Sequence, residues 1–150
     1  NSSETNKQAC ILNISTVKDL EEYCRNMKMS YSYKPILIMA LINVPDKNWE
    51  IHISEAAEYF KAFYNKRREI GLPVEGKKCI YQNSGVTIEQ IISNLIANPV
   101  KALVESGFFE YNPVSGVFSL NIEMKKQMTP KKAADILDIC SRRLEQYYLR

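Results

Sequence analysis

The signatures of metal, nucleotide and membrane binding are missing from this chain. Its 150 residues include one histidine, His52, and four cysteines, Cys10, Cys24, Cys79 and Cys140, spaced 14, 55 and 61 residues apart, so no CxxC pair exists. A zinc site of ordinary ligand spacing is thereby excluded. Scattered cysteines in a domain of this size read as buried free thiols, which points to a reducing, cytoplasmic compartment, although spacing alone leaves an oxidised pair open. With five glycines and no GxxxxGKS/T or GxGxxG sequence, there is no phosphate-cradling loop and nucleotide hydrolysis by this chain is excluded. No apolar run reaches the roughly 18 residues of a membrane helix. The longest, Pro35 to Val44, is interrupted at Asn43 and reads as a buried helix, with no membrane partner. Charge of one sign is also lacking: 20 basic against 17 acidic side chains leave +3, too little to make the whole chain a polyanion binder.

What is present is an average globular composition, 45% apolar and 25% charged, sufficient for one domain with its own core. The polar start, Asn1 to Gln8, has neither an initiator methionine nor a signal-peptide pattern. Residues 1–14 therefore read as a flexible lead-in or linker, residues 15–150 as a single domain, and the chain as a piece of a longer protein.

Periodicity divides the domain. After a hydroxyl cap at Ser15, the residues Val17, Leu20, Tyr23, Cys24 and Met27 recur at helical spacing. Ser30 to Tyr33 interrupts the pattern, and Pro35 opens an all-round apolar helix that belongs at the centre of the core. Pro45 to Asn48 reads as a turn, and Trp49, Ile51 and Ile53 alternate with Glu50 and His52 over a short strand. Ser54 is the expected cap of a helix that ends in Lys66-Arg67-Arg68 before Gly71 and Pro73. Leu72 to Gly85 is irregular, with Cys79, Ile80 and Tyr81 candidates for a sheet edge. Thr87 and Gln90 form a capping box for a helix with its apolar stripe on Ile88, Ile91, Ile92, Leu95 and Ile96, ending at Ala97. Asn98-Pro99 then restarts a helix, as cap and first position, carrying Val100, Leu103 and Val104 to Gly107. Two strands flank the turn Asn112 to Gly116, and Thr129-Pro130 opens a last helix with Ala133, Ile136, Leu137, Cys140, Leu144 and Tyr147 facing inward.

The resulting fold class is mainly α with a small β-sheet. The order helix, strand, helix, helix, hairpin resembles a winged helix, a helix-turn-helix variant with a C-terminal hairpin and, here, a further helix. The resemblance implies a recognition helix over Asn98 to Ser106, a wing over Phe108 to Leu120, and a third strand over Glu50 to Ile53. Asn98, Lys101 and Glu105 would be its solvent-facing polar side chains, and the wing tip has no Lys or Arg. Asn98 is then the expected base reader, Lys101 a phosphate contact.

A second similarity covers Ser30 to Phe109. The stretches Ser32-Tyr33-Lys34-Pro35-Ile36-Leu37, Tyr59 to Arg67, Gly71-Leu72-Pro73-Val74-Glu75 and Ile92 to Pro99 resemble an accessory domain of bacterial restriction-type and helicase-type defence proteins. That resemblance implies a non-catalytic module working on or near DNA beside an engine in the same polypeptide, and supplies no active-site residues; the expected partner is duplex DNA rather than a single strand. The run Ala97 to Ala102 is less basic and aromatic than the pattern.

Other constellations are weaker. Pro45-Asp46 followed by Glu75-Gly76-Lys77 fits the loose spacing of a metal-dependent nuclease, but a strong helix separates the halves and the turn accounts for Asp46. His52 has no local Asp, Ser or Cys arranged as a triad. No catalytic function and no cofactor are expected. Basic runs at Lys66-Arg67-Arg68 and Lys77-Lys78 are candidates for gripping a phosphate backbone, or are solvated helix ends and dipole partners. From residue 76 onward there are ten basic and seven acidic residues, against ten and ten before it, so the surplus lies in the second half. Tyr59, Phe60, Phe63 and Tyr64 follow helical spacing into the core, whereas Tyr31, Tyr33, Tyr81, Tyr147 and Tyr148 escape periodicity and are candidates for surface stacking. The alternative role is a protein-interaction module that docks on a partner or on its own enzymatic core through the hairpin and last helix; an apolar patch around Phe108 to Leu120 would favour it.

Overall fold

The computed structural model describes residues 15–44, 48–76 and 78–149. The expected lead-in over residues 1–14, the turn residues 45–47 and Lys77 lie outside them. The chain is mainly helical with one three-stranded antiparallel sheet.

Helix α1 is Val17–Asn26. Its cap is Thr16 and not Ser15, because Thr16 Oγ1 accepts the Asp19 N–H while the Asp19 carboxylate accepts the Thr16 N–H, a reciprocal pair. Helix α2 is Tyr33–Ile42, opening two residues before the expected Pro35; it is apolar all round and packed against the helices Ile53–Glu69 and Pro130–Leu149 and the π-helical turn Ile96–Val100. Strand β1, Glu50–His52, runs directly into α3, Ile53–Glu69. His52, not Ser54, caps α3: its Nδ1 accepts the Ser54 N–H at 3.1 Å. Ile53 belongs to the helix, not the strand, and its N–H donates to the Gly116 carbonyl at 2.7 Å. Gly116 has φ +71°, and a Cβ there would stand 2.8 Å from His52 Nε2, so strand end and hairpin end close on each other through glycine.

Ile80–Gln82 is a single 3₁₀ turn and not a sheet edge. Cys79 caps it, and Tyr81 is buried in ring contact with Tyr33, Phe60 and Tyr64, which pulls the segment into the core. Helix α4, Ile88–Leu95, has the expected Thr87/Gln90 capping box. It does not stop at Ala97. It continues through a π-helical turn, Ile96–Val100, into α5, Lys101–Glu105. Pro99 has no N–H to give an α-helical carbonyl, and the wider turn absorbs the defect; Asn98 caps nothing and instead donates Nδ2 to the Asn94 carbonyl at 2.9 Å. Asn98 to Ser106 is therefore the second half of one long helix. Ile96 and Val104, placed with the apolar stripes by spacing, are among the exposed large hydrophobic residues.

Strands β2, Phe109–Asn112, and β3, Val117–Leu120, form the expected hairpin. The sheet order is β1-β3-β2, with Ile51 and Tyr111 opposite Phe118 on either side. A short helix that periodicity missed, α6, Ile122–Gln127, is capped by Asn121 Oδ1 on the Met124 N–H. Helix α7, Pro130–Leu149, packs on α1 and α2.

Burial pushes the phenols of Tyr33, Tyr64 and Tyr81 above the ordinary 10.0. The fold keeps protons there that the unfolded chain releases, so this contribution is complete below pH 10 and is lost above it, by about 1.4 kcal/mol per pH unit for each group. Alkaline titration is expected to release the last of the tyrosinate absorbance only together with loss of helical dichroism, above pH 10. Ionisation of all nine phenols with the helices intact would contradict the buried cluster.

Candidate nucleic-acid interface

The seven residues singled out from the sequence divide into two groups in space. At the end of α3, Lys66 is exposed, but its two neighbours are engaged inside the fold. The Arg67 guanidinium lies 3.5 Å from the Tyr148 ring centroid, and its Nε donates to the Pro73 carbonyl. Arg68 donates to Asn65 Oδ1 at 2.7 Å and to the Tyr81 carbonyl. These arginines tie the loop after α3 to α7 and to the 3₁₀ turn. Lys78 is exposed on that loop, and Lys77 lies outside the described residues.

Asn98 and Lys101 belong to a different place. They line a cleft of about 310 Å³ whose opposite wall is the α1–α2 loop with the first turn of α2, contributing Lys28, Tyr31 and Lys34. Pro99 and two alanines, Ala97 and Ala102, complete the helix side, and Glu105 is the one carboxylate of the lining. Sequence spacing missed Lys28 and Lys34; the only local signals are the break between two helices and the proline at position 35.

The loop is fixed from several directions. Ser32 is fully buried, and its N–H and Oγ–H both donate to Glu75 Oε2, at 2.7 and 2.5 Å. With its proton on the carboxylate, Ser32 Oγ accepts from Tyr64 at 2.6 Å and Tyr148 at 3.2 Å. Tyr147 donates to Glu75 Oε1, and Arg143 donates to the Arg25 and Met27 carbonyls. Lys34 Nζ donates to the Lys28 carbonyl at 2.9 Å. The wall bearing Lys28, Tyr31 and Lys34 is thus set before any ligand arrives.

Among the described residues none of Lys28, Lys34 and Lys101 is ion-paired with a carboxylate. Burial, then the positive charges of Arg143 and Lys28, holds the Lys34 ammonium below the usual lysine range. Lysines that crowd one another in a cleft with a single carboxylate, Glu105, in its lining and no ion pair to it make an arrangement suited to an anion. The groove between α1 and α7 differs: Arg25 there pairs with Glu21 and Glu22, and Arg142 with Asp138.

Of the residues with loose nuclease-like spacing, Glu75 holds Ser32, and Asp46 and Lys77 lie outside the described residues. Cys24, Cys79 and Cys140 are free and buried, and Cys10 lies outside the described residues. No group of three or more His, Cys, Asp or Glu residues that could hold a metal occurs among the described residues, and no helix among them is long and apolar enough to cross a membrane. Comparison with protein-family models, with curated proteins and with solved structures returns no match.

Arg67→Ala removes the contact with the Tyr148 ring and the hydrogen bond to Pro73, and is expected to cost about 1–3 kcal/mol of stability, while Lys66→Ala leaves Tm unchanged. Thermal unfolding of the two variants checks this; equal Tm values would show that Arg67 is not part of the fold's support.

Proposed function

We propose that this chain is a non-catalytic, winged-helix-like DNA-binding module that grips the phosphate backbone with Lys28, Lys34 and Lys101, with Asn98 beside them at the base edges. The observation that carries the reading is the convergence of three lysines without carboxylate partners on one preformed cleft. The fold-level part draws support from the element order and from a sheet in which the second hairpin strand is central. Lys66 and Lys78 are exposed and add to the positive surface, while Arg67 and Arg68 contribute mainly to the fold. The resemblance to accessory domains of restriction and helicase proteins extends the reading: a target-recognition part of a larger bacterial defence protein, held beside that protein's other domains in a reducing cytoplasm.

The hairpin speaks for DNA over a protein partner. Phe108, Phe109, Phe118 and Leu120 are buried, and Val114 at the tip is the only exposed large apolar side chain from Phe108 to Leu120, at 95%. A single exposed side chain is not the contiguous apolar patch that docking needs. The tip has no cation either, so the phosphate contacts belong to the α1–α2 loop and the long helix.

A labelled duplex of arbitrary sequence is expected to bind in the micromolar range at about 50 mM salt and to be largely released at about 200 mM, because counterion release drives such binding. Charge reversal of Lys28, Lys34 and Lys101 together is expected to weaken it at least tenfold for every sequence and to lower the salt slope by about 2–3 units. Fluorescence anisotropy checks both; absence of binding at low salt, or a triple variant that binds like the parent, would overturn the reading.

A further inference from the structure

We infer that the lysine cleft receives one unpaired nucleotide of a DNA strand, with its base on Tyr31 and its phosphate on the lysines, so that the module prefers DNA with a single-stranded extension to a blunt duplex. The inference rests on the DNA-binding reading above and specifies the form of DNA that the same site selects.

Tyr31 carries the argument. Tyr31 is 39% exposed and lines the cleft, and its ring stacks on Tyr33 with centroids 5.0 Å apart and planes 17° from parallel. Tyr33 is itself fixed: it is buried, its hydroxyl bonds Cys79 Sγ at 2.9 Å, and its ring meets Phe60 and Tyr81 edge-on. The exposed part of Tyr31 is thus the outer surface of an aromatic stack anchored in the core. A base added to it completes the stack without the cost of ordering a mobile side chain. An exposed ring next to unpaired cations is the combination that single-strand binders use, aromatic platform for the base and ammonium groups for the backbone.

The opposite wall leaves room. Ala97 and Ala102 are small, and the π-helical turn widens the helix there. About 310 Å³ is at the small end of ligand pockets, a volume that accommodates one nucleotide. Asn98 spends one amide hydrogen on the Asn94 carbonyl, which leaves its other hydrogen and its oxygen for a base edge. Glu105, one helical turn beyond Lys101, repels phosphate and so favours placing the backbone on the lysines.

The test compares three labelled DNAs with the full chain: a blunt duplex, the same duplex with a short thymidine overhang, and that overhang made abasic. The overhang is expected to bind about tenfold tighter than the blunt duplex, and the abasic overhang to lose most of that gain. Tyr31→Leu, an exposed substitution, is expected to bring the overhang and blunt affinities to within about twofold of each other. Tyr31→Trp is expected to keep the preference, with its new emission quenched by the overhang alone. Equal binding of the overhang and blunt duplex by the parent, or a preference that survives Tyr31→Leu, would overturn the inference and leave the DNA-binding reading standing. No binding to any of the three would overturn both.

Discussion

The Glu75 carboxylate joins three stretches that are remote in sequence: the α1–α2 loop at Ser32, its own loop after α3, and the end of α7 at Tyr147. Ser32 is fully buried and would be costly there without partners, since an unsatisfied hydroxyl in the interior costs about 1–3 kcal/mol. Glu75 supplies the acceptor, Tyr64 and Tyr148 supply the donors, and the hydroxyl is left with no unmet capacity. Because a charged acceptor strengthens each of these bonds, the junction is rigid where the chain would otherwise be an ordinary interhelical loop. Arg67 extends the same junction by lying over Tyr148 and bonding the Pro73 carbonyl. The cleft wall depends on this arrangement, because Tyr31 and Lys34 are two residues or fewer from Ser32.

The other wall depends on Pro99. A proline inside a helix removes a donor and collides with the preceding turn, costing about 3 kcal/mol or more where the helix stays regular. Here the helix widens to a π-helical turn at Ile96–Val100 and Asn98 occupies the Asn94 carbonyl, so the axis continues into Lys101–Glu105 without a break. Such turns concentrate at functional sites because they re-aim side chains without ending the helix. In this chain the re-aimed stretch is Ala97 to Lys101, which borders the cleft.

Local chemistry was legible in the sequence, and long-range pairing was not. The hairpin around Asn112–Gly116 and the Thr87/Gln90 capping box follow from rules that act within a few residues, and the structure has both; the central apolar helix expected to open at Pro35 is also there, but begins two residues earlier, at Tyr33. Boundaries moved where a neighbour outside the rule decided the matter: His52 replaced Ser54 as a cap because β1 delivers its ring to that position, and Asn98-Pro99 read as a helix start because proline at a first turn and proline in a π-helical turn look alike in one dimension. The candidate site was half legible. Asn98 and Lys101 were visible as polar positions on a helix, but Lys28 and Lys34 come from some seventy residues earlier in the chain, and no periodicity links them. Arg67 and Arg68 looked like free cations because their partners, Tyr148 and the Tyr81 carbonyl, lie in other elements.

Electrostatics separates the cleft from the surface of α7. There cations sit beside carboxylates one helical turn away, as Arg142 does beside Asp138 and Lys131 beside Asp135, and such pairs contribute little and ask for nothing further. In the cleft the fold brings Lys34 against Lys28 and Arg143 and partly removes it from water, so its charged form is disfavoured in the free protein. An anion there would offset the lost hydration and screen the lysines from one another, and so reverse the sign of that interaction. Neutralising Lys34 would relieve that strain and remove the attraction together, which is the opposite of what loss of a structural ion pair does.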